Sequence, residues 1–458
     1  MREQDTIAAI ATPAGAGGVG IVRLSGPQAG AVARRMFAPL SPRFTVFRPY
    51  QLHHGSILDQ AGEMLDEGLV VFMPGPKSFT GEDVAEVQCH GGPFIVQAVL
   101  EAALALGARL AERGEFSRRA LLNGRMDLTQ AEAVAELIAA PGREAVRYSL
   151  NKLGGLLGRR VRELRDALEQ VRMQVCVAVD FPEEDVECLA PADFVRSVEA
   201  VRAGVAVLLA GYSRARVFRQ GAQVVLAGSV NVGKSSLMNA LLGRERALVT
   251  DIPGTTRDFL EEMLMLDGLP VRLVDTAGLR ETQEAVERMG VSLSRERVAR
   301  ADIVVLVVDG ARGPDDAARE VLARQDGVPV LVVWNKVDLA RPEAVPPVWA
   351  AQAAAFVMAS ARTGEGLEDV AAAVRAVVLR GQHPQAQENL APNARQAAAL
   401  DKAAVELAAL LDDIRAGQSY DICAVRLDAA AAFLGEVVGL DSPQALLDRV
   451  FSTFCIGK

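Results

Sequence analysis

The sequence predicts a multidomain α/β plus α fold: an N-terminal α/β domain, then a helical domain into which a doubly wound α/β domain is inserted. Three observations predict it. At 458 residues the chain exceeds what one ordinary hydrophobic core supports. Its hydrophobic period changes from short alternation to helical spacing near Thr129, and to strands alternating with helices from Gln223. After Leu379 that alternation fades into an Ala- and Leu-rich helical stretch that begins at Asn393. The expected boundaries are 1–120 for the N-terminal domain, 121–219 with 383–458 for the helical domain, and 220–382 for the insertion.

In the first domain, strands are expected over 6–12, 20–24, 68–72 and 85–90, with a helix over 94–106. The helical domain opens on Thr129-Gln130-Ala131-Glu132, the spacing of a capping box. Val146, Leu150, Leu153, Leu157, Val161, Leu164, Leu168, Val171 and Val175 then recur at steps of three and four. This reads as one stripe along a long helix that Pro182 ends. In the insertion, strands are expected over 224–227, 271–274, 303–308, 328–334 and 356–359, forming a mostly parallel sheet.

Composition narrows the classes. Half the residues are hydrophobic and 23% are charged, the balance of a globular protein, and no apolar run approaches the ~20 residues of a membrane span. The start lacks a basic region followed by an apolar stretch, so no secretory signal is read there. Five cysteines without paired spacing argue against a disulfide framework or a zinc site and favour a reducing cytoplasm. A net charge of −9 argues against a freestanding polyanion binder, so RNA binding would need local basic patches or a partner.

The insertion carries the chemistry. A strand over 224–227 leads into Gly228-Ser229-Val230-Asn231-Val232-Gly233-Lys234-Ser235 and then a helix beginning at Ser236, the full phosphate-loop pattern in its strand–loop–helix context. Lys234 is placed to act on the β- and γ-phosphates and Ser235 to bind Mg²⁺. Downstream, Asp275-Thr276-Ala277-Gly278 puts a carboxylate near Mg²⁺ and a glycine near the γ-phosphate. Asn335-Lys336-Val337-Asp338 ends the next-but-one strand, and its Asp338 carboxylate suits the N–H edge of guanine. Ser360-Ala361-Arg362 would close over the base. GTP is therefore the expected nucleotide. Leu279 stands where Ras-like enzymes carry a water-orienting Gln, so hydrolysis needs another orienting group.

Further fingerprints resemble one family, the MnmE (TrmE) tRNA-modification GTPases. Thr250 precedes Asp251-Ile252-Pro253-Gly254-Thr255-Thr256-Arg257-Asp258, which is similar to the family's switch and potassium loop. Val286-Glu287-Arg288-Met289-Gly290 is similar to its second switch, and Cys455-Ile456-Gly457-Lys458 to its terminal signature. Near the start, Asp5-Thr6-Ile7, Gly17 to Arg23, Ser78-Phe79-Thr80-Gly81-Glu82-Asp83 and His90-Gly91-Gly92 fit in matching order.

The resemblance implies an N-terminal folate-binding domain that dimerises, a helical domain and an inserted Ras-like G domain. It also implies a homodimer working with an MnmG-type FAD flavoprotein on the wobble uridine of tRNA. The cofactors implied are GTP, Mg²⁺, K⁺ and a tetrahydrofolate derivative, in the formyl or the methylene form. Asn231, Thr250, Ile252 and Thr255 would surround K⁺, and Ser235 with Thr256 would hold Mg²⁺. Glu287 would orient the hydrolytic water, while Arg23, Glu86, Arg125 and Lys458 would contact folate. Arg125 stands where family members often carry Lys, and the two differ in contact geometry.

Other features read as structure. The GxGxxG pattern of Gly15 to Gly20 runs into an apparent strand, not a helix, which argues against a dinucleotide site. Cys455 has no acid or His nearby in sequence and reads as a structural or folate-pocket residue. His90, before two glycines, reads as a packed turn residue. The run Arg159, Arg160, Arg162 and Arg165 is as well explained by a solvated helix face as by tRNA phosphates. The competing class is a GTP-dependent assembly switch, which leaves the N-terminal domain and the Cys455 to Lys458 tail without a role.

Overall fold

The computed structural model describes residues 5–180, 191–244, 261–275, 301–323, 327–341, 347–380, 390–440 and 443–458. They form two compact units. One comprises Met1–Ile138, Lys152–Val205 and Ala398–Lys458; the other comprises Ala139–Asn151 and Ala206–Ala397.

The first unit contains a seven-stranded sheet of β1 (Ile7–Ile10), β2 (Gly17–Ser25), β3 (Phe37–Pro39), β4 (His53–Leu58), β5 (Met64–Met73), β6 (Val84–Gly91) and β7 (Arg109–Leu110). Their order is β3-β4-β5-β6-β2-β1-β7, and every pairing is antiparallel except β1 with β7. Because side chains alternate across a strand, each strand serves two faces. Ala8, Val22, Leu24, Ala85, Val87 and Cys89 pack beneath the helices Ala29–Arg35 and Pro93–Ala105. The opposite face holds Ile7 and Ala9 against Ala111 and Phe116, and it also pairs Arg23 with Glu86 across β2 and β6.

The helices that follow this sheet in the chain differ from the sequence expectation in two places. Helix Leu128–Ile138 is capped by Asp127, not Thr129. Asp127 Oδ1 accepts from the Gln130 amide at 3.0 Å, and Gln130 Oε1 accepts from the Asp127 amide at 3.0 Å. Thr129 lies fully buried inside the first turn and donates its hydroxyl to Asp127. The reciprocal box thus sits two residues upstream, where an Asp fills the cap as well as a Thr does. The expected single long helix is two, Arg143–Leu153 and Leu156–Asp180, because Gly155 takes a φ of 77° that ends the first. Leu157, Val161, Leu164, Leu168, Val171 and Val175 form the buried stripe, whereas Leu150 is exposed. That stripe packs against helix Tyr420–Val438.

The second unit holds the expected doubly wound sheet of β8 (Ala222–Ala227), β9 (Glu261–Leu266), β10 (Leu269–Asp275), β11 (Ile303–Asp309), β12 (Val330–Asn335) and β13 (Ala355–Met358). The order is β13-β12-β11-β8-β10-β9, parallel throughout except for the edge pair β9 with β10. β11 shows why the central strands are apolar on both faces: Ile303, Val305 and Val307 join one core, and Val304, Leu306 and Val308 join the other. This topology puts the C-terminal ends of β8, β11 and β12 side by side, the edge where open α/β sheets bind ligands.

Candidate functional site

At that edge, the chain leaves β8 at Ala227, passes the glycine-rich loop and enters helix Lys234–Arg244. Gly233, at φ 99°, lies so close to Asn335 that an added Cβ would sit 2.3 Å from its Nδ2. Only glycine lets the two loops approach this closely. Lys234 is 9% exposed and donates through Nζ to the carbonyls of Gly228 and Ser229, both at 2.7 Å. Its ammonium is therefore held inside the loop whose amide groups and helix N-terminus favour a polyphosphate. Asn231, Ser235 and Ser236 are exposed, and Val232 is buried beneath the loop.

The Asn335 to Asp338 loop is tied to this cradle. Asn335 is 1% exposed; its Nδ2 donates to the Val232 carbonyl at 2.9 Å, and its Oδ1 accepts from the Ala361 amide at 3.0 Å. Lys336 Nζ donates to the Asn231 carbonyl at 2.8 Å and to Asp309 at 2.7 Å. Asp338 Oδ1 accepts from the Ser360 hydroxyl at 2.6 Å, which sets its carboxylate beside the loop that continues through Ala361 to the exposed Arg362. One asparagine thus links the phosphate loop, the acidic loop and the closing loop. Asp275 ends β10 in register with Leu226 of β8, at the same edge. Thr250, Asp251, Ile252, Pro253, Gly254, Thr255, Thr256, Thr276, Ala277, Gly278 and Glu287 lie outside the described residues.

Asp309 is the residue the sequence reading missed here. Its signal was available: a lone acid closing a strand of six β-branched and leucine residues, at the ligand-binding edge. Burial opposes ionisation, yet the hydrogen bonds from Lys336 and the Ala311 amide hold its carboxyl below the usual range.

The other cluster lies in the first unit. The chain's last residues return to its first strands: Ile456 bridges Arg113, and Arg23 Nη1 donates to the Gly457 carbonyl at 3.3 Å. Arg23 Nε also donates to Glu86 at 2.8 Å, and its guanidinium lies over Phe79 at 5.7 Å and Phe116 at 5.8 Å. Lys458 is half-buried. Burial pushes its ammonium below the ordinary lysine value, the Arg23 charge pushes the same way, and Glu86 and Cys455 oppose them. Arg23, Glu86 and Lys458 therefore come together around a pair of cations that an anionic ligand would relieve.

Arg125 donates through Nε to the Ser78 carbonyl at 3.0 Å. Asn123 donates to the Thr80 carbonyl at 2.8 Å, and buried Arg119 reaches Glu82 at 3.2 Å. These contacts hold the Ser78 to Asp83 loop that carries Phe79. Cys455 is exposed. One minor expectation changes. His90 is not packed in a turn: it lies on β6, 70% exposed, with Nδ1 2.8 Å from Asp66.

Among the described residues no helix is long and apolar enough to cross a membrane, and no group of His, Cys, Asp and Glu is arranged to hold a metal.

Known proteins align with the whole chain. The family pattern described as the GTP-binding protein TrmE N-terminus matches residues 6–125, and the MnmE helical domain matches residues 128–455. A protein of Nitratidesulfovibrio vulgaris strain DP4 named tRNA modification GTPase MnmE is 58% identical over 461 residues, covering 100% of both chains. Proteins with the same name from Lawsonia intracellularis (43%) and Chloroflexus aurantiacus (46%) each cover 99% of this chain and 100% of their own. Among solved structures, the G domain of the T. maritima FeoB iron transporter aligns at 26% identity with 34% of this chain and 98% of its own. Its TM-score of 0.26 is too low to carry an argument. With a P-loop sheet inserted between helical segments and a family match along its full length, the chain belongs to the MnmE family of tRNA modification GTPases.

Proposed function

We propose that this protein is a potassium-activated GTP hydrolase. Together with an FAD flavoprotein partner, it would add an aminomethyl or carboxymethylaminomethyl group to carbon 5 of the wobble uridine in certain tRNAs. The observation that carries the GTPase part is the Asn335 tie, which sets the Asp338 carboxylate at a fixed distance from the phosphate loop. In this reading Asp338 accepts from the guanine edge and Ser360 to Arg362 cover the base. Lys234 gives up its two loop carbonyls to meet the phosphates. Ser235 and Thr256 hold Mg²⁺; Asn231, Thr250, Ile252 and Thr255 hold K⁺; Glu287 orients water in the place of the missing Gln. The two ions, when bound, neutralise charge that develops on the phosphates, the task of an arginine finger elsewhere.

The Arg23, Glu86 and Lys458 cluster supports a folate site on the 1–120 domain, completed by Lys458 of the tail. Glu86 suits a pterin N–H edge, and the two cations suit carboxylate or carbonyl groups. An assembly switch has no use for this cluster. In the same reading the protein is a cytoplasmic homodimer, with 121–219 and 383–458 as its helical domain and 220–382 as its G domain.

The test is single-turnover GTP hydrolysis in K⁺ and in Na⁺, beside wobble-nucleoside analysis of tRNA from cells lacking the protein. Hydrolysis should slow sharply in Na⁺, and the uridine modification should disappear. Equal rates in the two salts would remove the potassium mechanism, and unchanged nucleosides would remove the tRNA reading.

A further inference from the structure

We propose that Asp309 is a positioning residue for guanine nucleotide, acting through Lys336 to lock the base-binding loop onto the phosphate loop. The inference rests on the GTP reading and assigns a role to a residue that makes no contact with the nucleotide in that reading.

Asp309 closes β11 and is 6% exposed. Its carboxylate is not free to swing: Oδ1 accepts from the Ala311 amide at 2.9 Å, while the Arg312 and Gly313 amides bond its carbonyl at 3.2 and 2.8 Å. The other oxygen, Oδ2, receives Lys336 Nζ at 2.7 Å, and the same ammonium reaches the Asn231 carbonyl at 2.8 Å. A second tie runs alongside, from the Gly310 amide to the Asn335 carbonyl at 2.7 Å. Lys336 and Asn231, the two residues joined by that ammonium, both have φ of 65°, a left-handed conformation that side chains other than glycine rarely hold. Such residues keep that conformation only when their surroundings over-determine it. The rigid carboxylate at the strand end supplies the determination: it fixes where a long, otherwise flexible lysine side chain ends, and the lysine then fixes both loops. A neutral acceptor in its place would leave the ammonium half-buried with its charge uncompensated.

The experiment is a double-mutant cycle on the full-length protein, using Asp309→Asn, Lys336→Gln and the pair, with a fluorescent GDP analogue as the probe. Asp309→Asn should weaken binding by about tenfold to a hundredfold, the value of one charge-assisted hydrogen bond. Lys336→Gln should do the same from a partly exposed position that leaves the core undisturbed. The double variant should bind about as weakly as the poorer single variant, because both changes break one relay. In steady state, Asp309→Asn should raise KM for GTP while kcat at saturation stays within about twofold of wild type. Single-variant losses that multiply in the double variant, or unchanged affinity in Asp309→Asn, would overturn the proposal. Failure of the wild-type protein to bind GDP would instead overturn the GTP reading on which it stands.

Discussion

Glu115 shows how one side chain anchors the N-terminal half. It is 2% exposed, yet it meets Arg109 at 2.7 Å and Arg119 at 3.0 Å, and Asp5 reaches the same two guanidinium groups. Burial would raise both carboxyl groups, but the arginine hydrogen bonds outweigh it and hold them below their ordinary values of 4.5 and 3.8. The sign follows from linkage. A carboxyl depressed in the folded state contributes stability that is complete above its unfolded value and is lost as pH falls through its folded value. The protein should therefore lose stability as pH drops below about 4.5, more through Glu115 than through the half-exposed Asp5, whose pairing water screens. Glu115→Gln should cost about 1–3 kcal/mol near neutral pH, by weakening the charge-assisted hydrogen bonds of buried Arg119 and exposed Arg109, both of which keep Asp5. It should also flatten the fall in melting temperature between pH 6 and pH 2. An unchanged slope in the variant would assign the acid loss to other groups.

At the scale of elements, the caps decide where helices begin, and one side chain does two jobs. Asp127 caps helix Leu128–Ile138 and also pairs with Arg162 at 2.9 Å. Asp127→Ala should cost about 0.5–2 kcal/mol in urea unfolding. Asp127→Ser, which keeps a cap and loses only a half-exposed ion pair, should cost less than about 1 kcal/mol. Equal losses would place the energy in the ion pair. The same reciprocal box recurs where Asn393 and Gln396 exchange amide bonds at helix Ala394–Arg415.

Such caps were only partly legible in the sequence. Thr129 and Asp127 are both good caps two residues apart, and packing, which buries Thr129, chose between them. The stripe from Val146 to Val175 was read as one helix because its spacing runs unbroken past Gly154 and Gly155. Periodicity records faces, whereas a positive φ interrupts the backbone. Among the described residues, the loops gathered at the C-terminal edge of β8, β11 and β12 were legible, because their motifs are local in sequence. β3 and β4 were not, since Phe37–Pro39 and His53–Leu58 are short and lack clear alternation.

For the whole molecule, the contact that sequence could not reveal without the family resemblance is the return of the tail. Deleting Gly457 and Lys458 should weaken 5-formyltetrahydrofolate binding and leave GTP affinity unaltered, because the nucleotide residues belong to the other compact unit. Equal folate affinity by calorimetry for the two forms would take the tail out of that site. The Arg23 bond to Gly457 spans 434 positions of chain. On a ribosome adding about 5–20 residues each second, the strand bearing Arg23 emerges roughly 20–90 s before its partner exists. During that interval the sheet has all its strands while the Arg23–Glu86 pair lacks its contact with the tail. A prematurely terminated chain would fold its first domain and still offer no finished cluster.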